Sequence, residues 1–196
     1  MAQTSTTLSG AKSHEDDLSA TDISFTATGA EYKIKTTSTS LGRFSVRDLI
    51  TVTGTASNNN TFTVKTVVSA NELIVEEIVT SEDAGASVTL DHTGFVTDKA
   101  KGDGYYSQPD GLHTVAYHID SSVNDDEYIK LIMQGSLATT PTEDDWFDIS
   151  GTTIDQSKID GSTLAFSANF TGNYVWARAK VSGMSAGSIS KILFNH

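Results

Sequence analysis

The chain has 196 residues, of which 13 are lysine or arginine and 25 are aspartate or glutamate, so its formal net charge is -12. A charge of that sign argues against nucleic acid as a partner, because a phosphate backbone repels it. The chain has no cysteine, which excludes disulfide bonds and thiolate metal sites.

The composition also indicates a fold class. Many serine and threonine residues, 15 glycines, only 2 prolines and short apolar runs are typical of an all-β protein. The first residues, Met1–Thr7, lack the cationic start and apolar run of a signal peptide, and no stretch is long and apolar enough for a membrane span. We therefore expect a soluble protein made in a cytoplasm, with no membrane partner. The length allows one domain, or two of about 100 residues.

Residues 1–20 are rich in serine, threonine and aspartate and too poor in apolar side chains to fold alone. They are predicted to be a flexible N-terminal arm, with docking on a neighbouring subunit as the alternative. Residues 21–97 alternate in polarity between short turns. The predicted strands there are Ile23–Ala27, Tyr32–Lys35, Asp48–Gly54, Thr61–Val68, Leu73–Glu77 and Ala86–Leu90. Such strands predict a meander that curls into a small β-barrel-like domain.

The order of these segments resembles a small β-barrel module that recurs in phage structural proteins. The matching residues are Asp48–Gly54, Asn58–Val64, Leu73–Glu77 and Glu82–Leu90. What they share with the module is mainly strand length and turn spacing, so the resemblance implies a fold.

Residues 98–111 begin with a polar stretch that holds two glycines, and they are predicted to be a linker between two domains. Residues 112–196 again alternate in polarity. The predicted strands there are His113–Ile119, Tyr128–Gln134, Trp146–Ile149, Leu164–Phe170, Tyr174–Val181 and Ile189–His196. The predicted inward rows are Val115/Tyr117/Ile119, Ile129/Leu131/Met133 and Val175/Ala177/Val181. This pattern predicts an antiparallel β-sandwich, closed by its last two strands and the hairpin turn Ser182–Gly187.

Three segments of the second half stand out, Gly135–Phe147, Gly172–Arg178 and Ile192–His196. Through them, residues 105–196 resemble the C-terminal domain of virion structural proteins of T4-like cyanophages and related tailed phages. The resemblance implies a non-catalytic building or decorating element that binds other virion proteins, such as major capsid or tail proteins. It also implies a virion location after assembly in the cytoplasm of the host bacterium. Because phage appendages are commonly trimeric or ring-like, we expect a homo-oligomer, with a trimer as one form.

The candidate interface and packing residues are aromatic and cationic. Tyr174, Trp176 and Arg178 are predicted to form one row of a strand, which allows Arg178 to lie over Trp176 in a cation–π contact. Trp146 is the fourth candidate, because large aromatic side chains anchor cores and interfaces. A sugar-stacking platform that also uses Tyr105–Tyr106 is the alternative interpretation.

No catalytic residue is predicted. Gly183–Gly187 matches the spacing of a hydrolase nucleophile elbow, which requires a strand entering a helix and an acid and a histidine after the serine. No acidic residue follows Ser185, and strands flank the segment on both sides. The segment is therefore predicted to be a turn between strands.

No metal or cofactor site is predicted either. The acidic clusters Asp125–Glu127 and Glu143–Asp145 are predicted to be solvated loops, with a calcium site as the alternative. The acid before Trp146 is expected to cap a short turn or to pair with a cation of a neighbouring subunit. The histidines lack zinc spacing, and His113 and His118 are predicted to face opposite ways along a strand.

The sequence therefore predicts a non-enzymatic phage virion protein that acts by binding. A capsid decoration or head-fibre protein is the first expectation. The alternatives are a neck, tail or baseplate component, and a module of a phage fibre that binds a receptor or a glycan of the host.

Overall fold

The computed structural model describes residues 5–107, 111–120, 128–159 and 163–196. Strands dominate that part of the chain, and its 3-10 helical turns include Asp103–Tyr106 and Glu143–Asp145. The prediction of an all-β fold with antiparallel sheets is confirmed. The chain divides into two compact units, Glu15–Phe95 and a second unit that joins the residues up to His14 with Val96–His196.

The strands are numbered in chain order, and most lie where alternation predicts them. They are β1 (Ser5–Ser9), β2 (Lys12–Ser13), β3 (Leu18–Ala20), β4 (Ser24–Thr28), β5 (Glu31–Lys35), β6 (Asp48–Thr53), β7 (Thr61–Ser69), β8 (Glu72–Val75), β9 (Val88–Val96), β10 (Ala100–Lys101), β11 (Leu112–Ile119), β12 (Lys130–Ser136), β13 (Phe147–Asp148), β14 (Ile154–Asp155), β15 (Ala165–Thr171), β16 (Trp176–Ser182) and β17 (Ser188–Asn195).

In the unit Glu15–Phe95 the strands pair in the order β3-β9-β6-β7-β8-β5-β4. Strands β6, β7 and β8 form successive hairpins, but β5 pairs with β8, which interrupts the predicted meander. Strand β7 pairs with two strands along its length. Thr61–Thr63 pair with β6, and the residues from Val64 onward pair with β8. The path ends at β3 and β4, so the described residues form no closed barrel, and the barrel-like shape stays a prediction.

This unit has a hydrophobic core of its own. Every strand from β3 to β9 contributes buried apolar side chains, which lie on one face of each strand. The buried members are Leu18, Ile23, Phe25, Ile34, Leu41, Phe44, Ile50, Val52, Phe62, Val64, Leu73, Val75, Val79, Val88 and Leu90. Burial of this apolar area is the main term that stabilises the unit.

The second unit contains two antiparallel sheets. The first sheet has the order β1-β17-β11-β15, and β2 also pairs with β17. In the second sheet β12 lies between β13 and β16. The short strands β10 and β14 pair with β16 and β12, respectively. The predicted inward rows on β11 and β12 are buried. Tyr117 Oη donates to the Thr152 carbonyl at 3.3 Å, and Thr152 Oγ1 accepts the Met133 N–H at 3.1 Å, which links β11 to β12. This arrangement is consistent with the predicted β-sandwich.

Strands β16 and β17 follow each other in the chain but belong to different sheets. β16 pairs with β12 and β10, whereas β17 pairs with β11 and β1. The segment between them therefore crosses from one sheet to the other, and the predicted hairpin is wrong. Alternation along a strand shows which face is buried, but it does not identify the neighbour that accepts the hydrogen bonds.

The segment predicted as a flexible arm contains paired strands over its described residues. β1 pairs with β17 from Ser5 opposite Asn195, and β3 pairs with β9 from Leu18 opposite Leu90. Leu8 and Leu18 are both buried. The apolar content of these residues is too low to fold alone, but a strand that joins an existing sheet needs only its backbone hydrogen bonds and a few apolar contacts.

The segment predicted as a linker is also part of the second unit. Ala100 and Lys101 form β10 on β16, and the Gly102 N–H donates to the Val175 carbonyl at 3.0 Å. The 3-10 turn Asp103–Tyr106 follows directly. The polar composition of this stretch therefore reflects a short strand with one solvated face.

Candidate functional site

Strand β16 places Trp176 and Arg178 on the same face of their sheet, as alternate residues of a strand must be. Ser136 and Gln134 lie opposite them on β12, and Lys101 of β10 lies opposite Trp176 on the other side. This face points away from the small apolar residues that β16 contributes to the core. The two candidate residues therefore stand in the middle of a polar sheet face.

The loop of residues 137–146 covers part of this face and is fastened to Arg178. The guanidinium Nε donates to Gln134 Oε1 at 3.0 Å, and its two terminal nitrogens donate to the Glu143 carboxylate at 2.9 and 2.7 Å. Its central carbon lies 4.2 Å from the centre of the Trp146 ring. Arg178 is only 4% exposed, so it is a buried anchor rather than a surface cation.

Trp176 has different neighbours from those predicted. The cation over its ring is Lys99, whose Nζ lies 4.6 Å from the ring centre, whereas Arg178 lies over Trp146. The indole N–H donates to the Thr139 carbonyl at 3.0 Å, which fixes the ring against the loop. The predicted contact between Arg178 and Trp176 is therefore wrong, since the loop brings Trp146 to the guanidinium instead.

A group of aromatic rings and lysine side chains surrounds Trp176. Tyr105 meets Trp176 with ring centres 5.0 Å apart and meets Tyr106 at 5.2 Å, both edge to face. Lys101 Nζ lies 4.1 Å from the centre of Tyr105 and 5.7 Å from that of Tyr106. We call Lys99, Lys101, Tyr105, Tyr106 and Trp176 the aromatic–cationic patch. Tyr105 is 41% exposed and Tyr106 is 50% exposed, so the patch faces solvent.

Two glycines hold the backbone of this patch close to the start of β16. The Gly104 N–H donates to the Tyr174 carbonyl at 2.8 Å, and the Gly102 N–H donates to that of Val175. A Cβ added at Gly104 would lie 2.7 Å from the carbonyl oxygen of Asn173, closer than a side chain permits. The glycines therefore let the 3-10 turn approach β16, which places the two tyrosines beside Trp176.

Tyr174 lies outside the predicted row, because β16 begins only at Trp176. Gly172 just before it has a φ of 149°, and the Tyr174 side chain is half-buried. Its ring centre lies 5.9 Å from Phe147 and 6.2 Å from Phe170. The bare backbone of Gly135 and Gly172 provides the room for the ring. Tyr174 is therefore a packing residue and does not belong to the patch.

The acid before Trp146 caps a short turn, which is one of its two predicted roles. Asp145 Oδ2 accepts the Thr142 N–H at 2.7 Å and the Thr142 hydroxyl at 2.8 Å. The backbone hydrogen bond from Thr142 lowers the pKa of Asp145 below its ordinary value. Glu143 pairs with Arg178 of the same chain. The cluster Asp125–Glu127 lies outside the described residues.

The remaining sequence motifs bring no reactive groups together. Residues 183–187 connect two strands, with Met184 buried and Ser185 exposed. His113 is buried and His118 is half-buried, so they face opposite ways as predicted. Among the described residues, no group of three or more histidine, aspartate or glutamate side chains is placed to hold a metal ion.

The sequence predicts the aromatic residues of the patch as a surface group but does not single out Lys99 and Lys101. The two lysines alternate, as side chains on one face of a strand do, and the pair Tyr105–Tyr106 follows within a few residues. The alternating lysines and the nearby tyrosine pair indicate a short strand with an aromatic surface. The polar composition of the same stretch, however, is typical of a linker.

No protein-family model matches the chain, and no curated protein matches it. In the part of the chain that the structure describes, no helix is both long and apolar enough to cross a membrane.

Proposed function

We propose that the chain is a non-enzymatic structural protein of a tailed-phage virion, which binds other virion proteins as a capsid decoration or head-fibre protein. The resemblance of residues 105–196 to virion structural proteins supports this role. The observation that carries the proposal is the aromatic–cationic patch, because it is a solvent-facing group of rings on a rigid sheet. Tyrosine and tryptophan are the side chains that most often anchor protein interfaces.

The charge of the patch indicates the kind of surface it binds. The chain as a whole carries a net charge of -12, yet Lys99 and Lys101 concentrate positive charge at these rings. An acidic and aromatic surface on a major capsid or tail protein would complement both features. We also propose a barrel-like shape for Glu15–Phe95, which is supported by the division of β7 between two neighbouring strands.

The proposal is tested on purified particles of the tailed phage that encodes the chain. Gold-labelled antibody against the recombinant protein is expected to label intact particles, with labelling on heads supporting decoration. Labelling of necks, tails or baseplates would support a virion role and reject the decoration role. Particles that neither bind the antibody nor contain the chain by mass spectrometry would contradict the proposal.

The role of the patch is tested by adding purified protein back to particles that lack it. The double variant Tyr105→Ser with Tyr106→Ser is expected to lose binding to these particles. The matched control is Tyr128→Ser, which replaces a tyrosine that is 75% exposed at the other end of β16, beside Gly183. Equal binding by both variants would show that the patch is not the contact surface.

A second candidate function is binding of a host glycan at the same patch. The edge-to-face rings of Tyr105 and Tyr106 beside Trp176 favour it, because exposed rings can stack on a sugar while lysines bind its acidic substituents. Titration with host lipopolysaccharide is expected to change tryptophan fluorescence saturably. The change would be lost in Tyr105→Ser with Tyr106→Ser and kept in Tyr128→Ser. A titration without saturation would reject this candidate.

A further inference from the structure

Strand β15 forms one edge of the sheet β1-β17-β11-β15. Its inner side pairs with β11 over all seven residues, from Ala165 opposite His118 to Thr171 opposite Leu112. On its outer side the described residues provide no partner strand. The backbone groups that point outward are therefore available to another strand, except at the end of β15, where the Thr171 carbonyl accepts the Tyr174 hydroxyl at 3.2 Å.

This edge lacks the features that normally prevent strands from adding to a sheet. Residues 165–171 carry no charge and no proline, and their register with β11 has no bulge. Four other edge strands among the described residues do have such features. The pairing of β1 has a register shift between Thr7 and Ser9. Strands β13 and β3 are short, with two and three residues. The outer side of β4 is covered at Phe25 by an isolated bridge to Glu82. An open edge of seven residues without a bulge is a ready-made template for a further strand.

The sequence of β15 is symmetric in side-chain type about Ala168, with phenylalanine at positions 166 and 170 and a small polar residue at 167 and 169. A two-fold axis at Ala168 would place Phe166 opposite Phe170, Ser167 opposite Asn169 and Ala165 opposite Thr171 of the other copy. Phenylalanine would then meet phenylalanine on the core face, and small polar residues would meet on the outer face. Phe166 is half-buried while Phe170 is buried, so the added strand would cover the apolar ring that the edge leaves partly open.

Charge also favours a second copy at this edge over other parts of the surface. Two chains with a net charge of -12 repel each other, but no charged residue occurs from Thr163 to Val175. The edge is therefore a place where two copies can meet without placing like charges in contact.

We propose that β15 is a dimerisation edge, which pairs antiparallel with β15 of a second copy about Ala168 and joins the two sheets into one. The interface is isologous, because each residue meets its counterpart through the same two-fold axis. This inference rests on the open edge, the sequence symmetry and the lack of charge of β15, and it does not depend on a virion role. The particle experiments above can fail while this one succeeds, and the reverse also holds.

The first test places charge on the exposed outer face of β15. In Ser167→Lys with Asn169→Lys, each new lysine would lie opposite a lysine of the second copy, so analytical ultracentrifugation is expected to show monomer where the wild type is dimer. In Ser167→Glu with Asn169→Lys, opposite charges would meet twice, and the dimer is expected to return. Ser190→Lys is the control, since Ser190 is exposed on β17 in the interior of the same sheet.

The second test reads the register directly. The chain has no cysteine, so Ala168→Cys introduces a single thiol at the two-fold axis. Facing residues of antiparallel strands have Cα atoms about 4.5–5.5 Å apart, which is within reach of a disulfide. Mild oxidation is expected to yield a covalent dimer much faster for Ala168→Cys than for Ser190→Cys.

Three results would overturn the proposal. One is a wild type that remains monomeric up to high micromolar concentration. Another is an oligomer that persists in Ser167→Lys with Asn169→Lys, because its interface must then lie elsewhere. The third is equal cross-linking of the two cysteine variants, since the axis would then not pass through Ala168.

Discussion

Arg178 is the side chain that holds the loop of residues 137–146 against β16. The sequence placed it on the face opposite the core, which is where it lies, but indicated an exposed cation. Its carboxylate partner, Glu143, is 35 residues earlier and sits in a loop without periodicity. Alternation along a strand predicts which face of the sheet a residue lies on. It does not predict which loop covers that face and buries the residue.

Arg178→Lys is expected to lower the free energy of unfolding by about 1–3 kcal/mol. Lysine keeps the charge but cannot donate to Gln134 and to both oxygens of Glu143 at once. Urea denaturation followed by tryptophan fluorescence measures the loss, since Trp146 stacks on the guanidinium. Lys180→Arg, two residues along the same face, is the control and is expected to change stability by less than about 0.5 kcal/mol. Equal effects in the two variants would contradict the anchoring role of Arg178.

Asp22 is a second residue that organises a loop. Its Oδ2 accepts the backbone N–H groups of Thr37, Ser38 and Thr39 at 3.0, 2.7 and 3.1 Å. These bonds, first among them the one from Ser38, hold the pKa of Asp22 well below its ordinary value. A carboxylate that several N–H groups stabilise contributes to folding only in its ionised form.

The stability that Asp22 provides is expected to depend on pH. Because its pKa is lower in the folded than in the unfolded chain, the contribution is present above about pH 4 and is lost as the pH falls toward the folded pKa. Asp22→Asn is therefore expected to have a lower urea midpoint than the wild type at pH 7, with a smaller difference at pH 3. Asp83→Asn, at an exposed carboxylate in the same unit, is the control. A difference that stays constant with pH would count against this assignment.

At the scale of elements, the contact between β12 and the Tyr174 ring depends on the absence of a side chain at Gly135. A Cβ added there would lie 2.6 Å from Cδ1 and 3.0 Å from Cε1 of Tyr174. Gly135→Ala is expected to cost about 1–3 kcal/mol of unfolding free energy, because neither the strand nor the packed ring can move freely. Gly10→Ala, where no atom lies within 4 Å of the added Cβ, is expected to be nearly neutral.

A double-mutant cycle separates this clash from a general effect of alanine in β12. In a Tyr174→Ala background, Gly135→Ala is expected to cost far less than in the wild type, because the ring is gone. The free energies of unfolding come from urea denaturation of the four proteins. The same cost in both backgrounds would show that the tyrosine does not set the requirement for glycine.

Leu8 tests whether β1 is a structural strand. Its side chain is 6% exposed, so Leu8→Ala is expected to cost about 2 kcal/mol or more in unfolding free energy. A flexible arm would give no change. Ser5→Ala, at an exposed position of the same strand, is the control, and both are measured by urea denaturation. Hydrogen exchange of the β17 amides is expected to quicken in Leu8→Ala alone.

The sequence predicted strands far better than it predicted their partners. Alternation located β11, β12, β16 and β17, since the period of two follows from the geometry of a single strand. It could not show that β16 and β17 lie in different sheets, or that β1 pairs with β17, because the partner depends on contacts between distant residues. For the candidate site, too, the sequence predicted the face of each residue but not its partners. Trp176 and Arg178 were found on the correct face, but the loop that separates their cation–π contacts was not foreseen.

At the scale of the whole molecule, one unit is continuous in sequence and the other is not. The chain leaves the second unit after His14 and returns to it at Val96. The fragment of residues 15–95 contains all members of its core, so it is expected to fold alone, with a β-type circular dichroism spectrum and cooperative unfolding.

The fragment of residues 96–196 is expected to behave differently, because it lacks β1 and β2. We expect it to be less stable than the same unit in the intact chain and to be stabilised by a peptide of residues 1–14. Thermal unfolding with and without the peptide measures the effect. A fragment that the peptide leaves unchanged would mean that these strands contribute nothing to the unit.

The pairing of Ser5 with Asn195 has a consequence for biosynthesis. A ribosome releases the amino-terminal strand long before its partner has been translated, and at about 5–20 residues per second that interval lasts some ten seconds or more. Residues 15–95 can reach their native contacts during this wait. In the second unit, β1 can pair with β17 only after translation has passed residue 195. Until then the nascent unit exposes an unpaired edge to chaperones and to neighbouring polysomes.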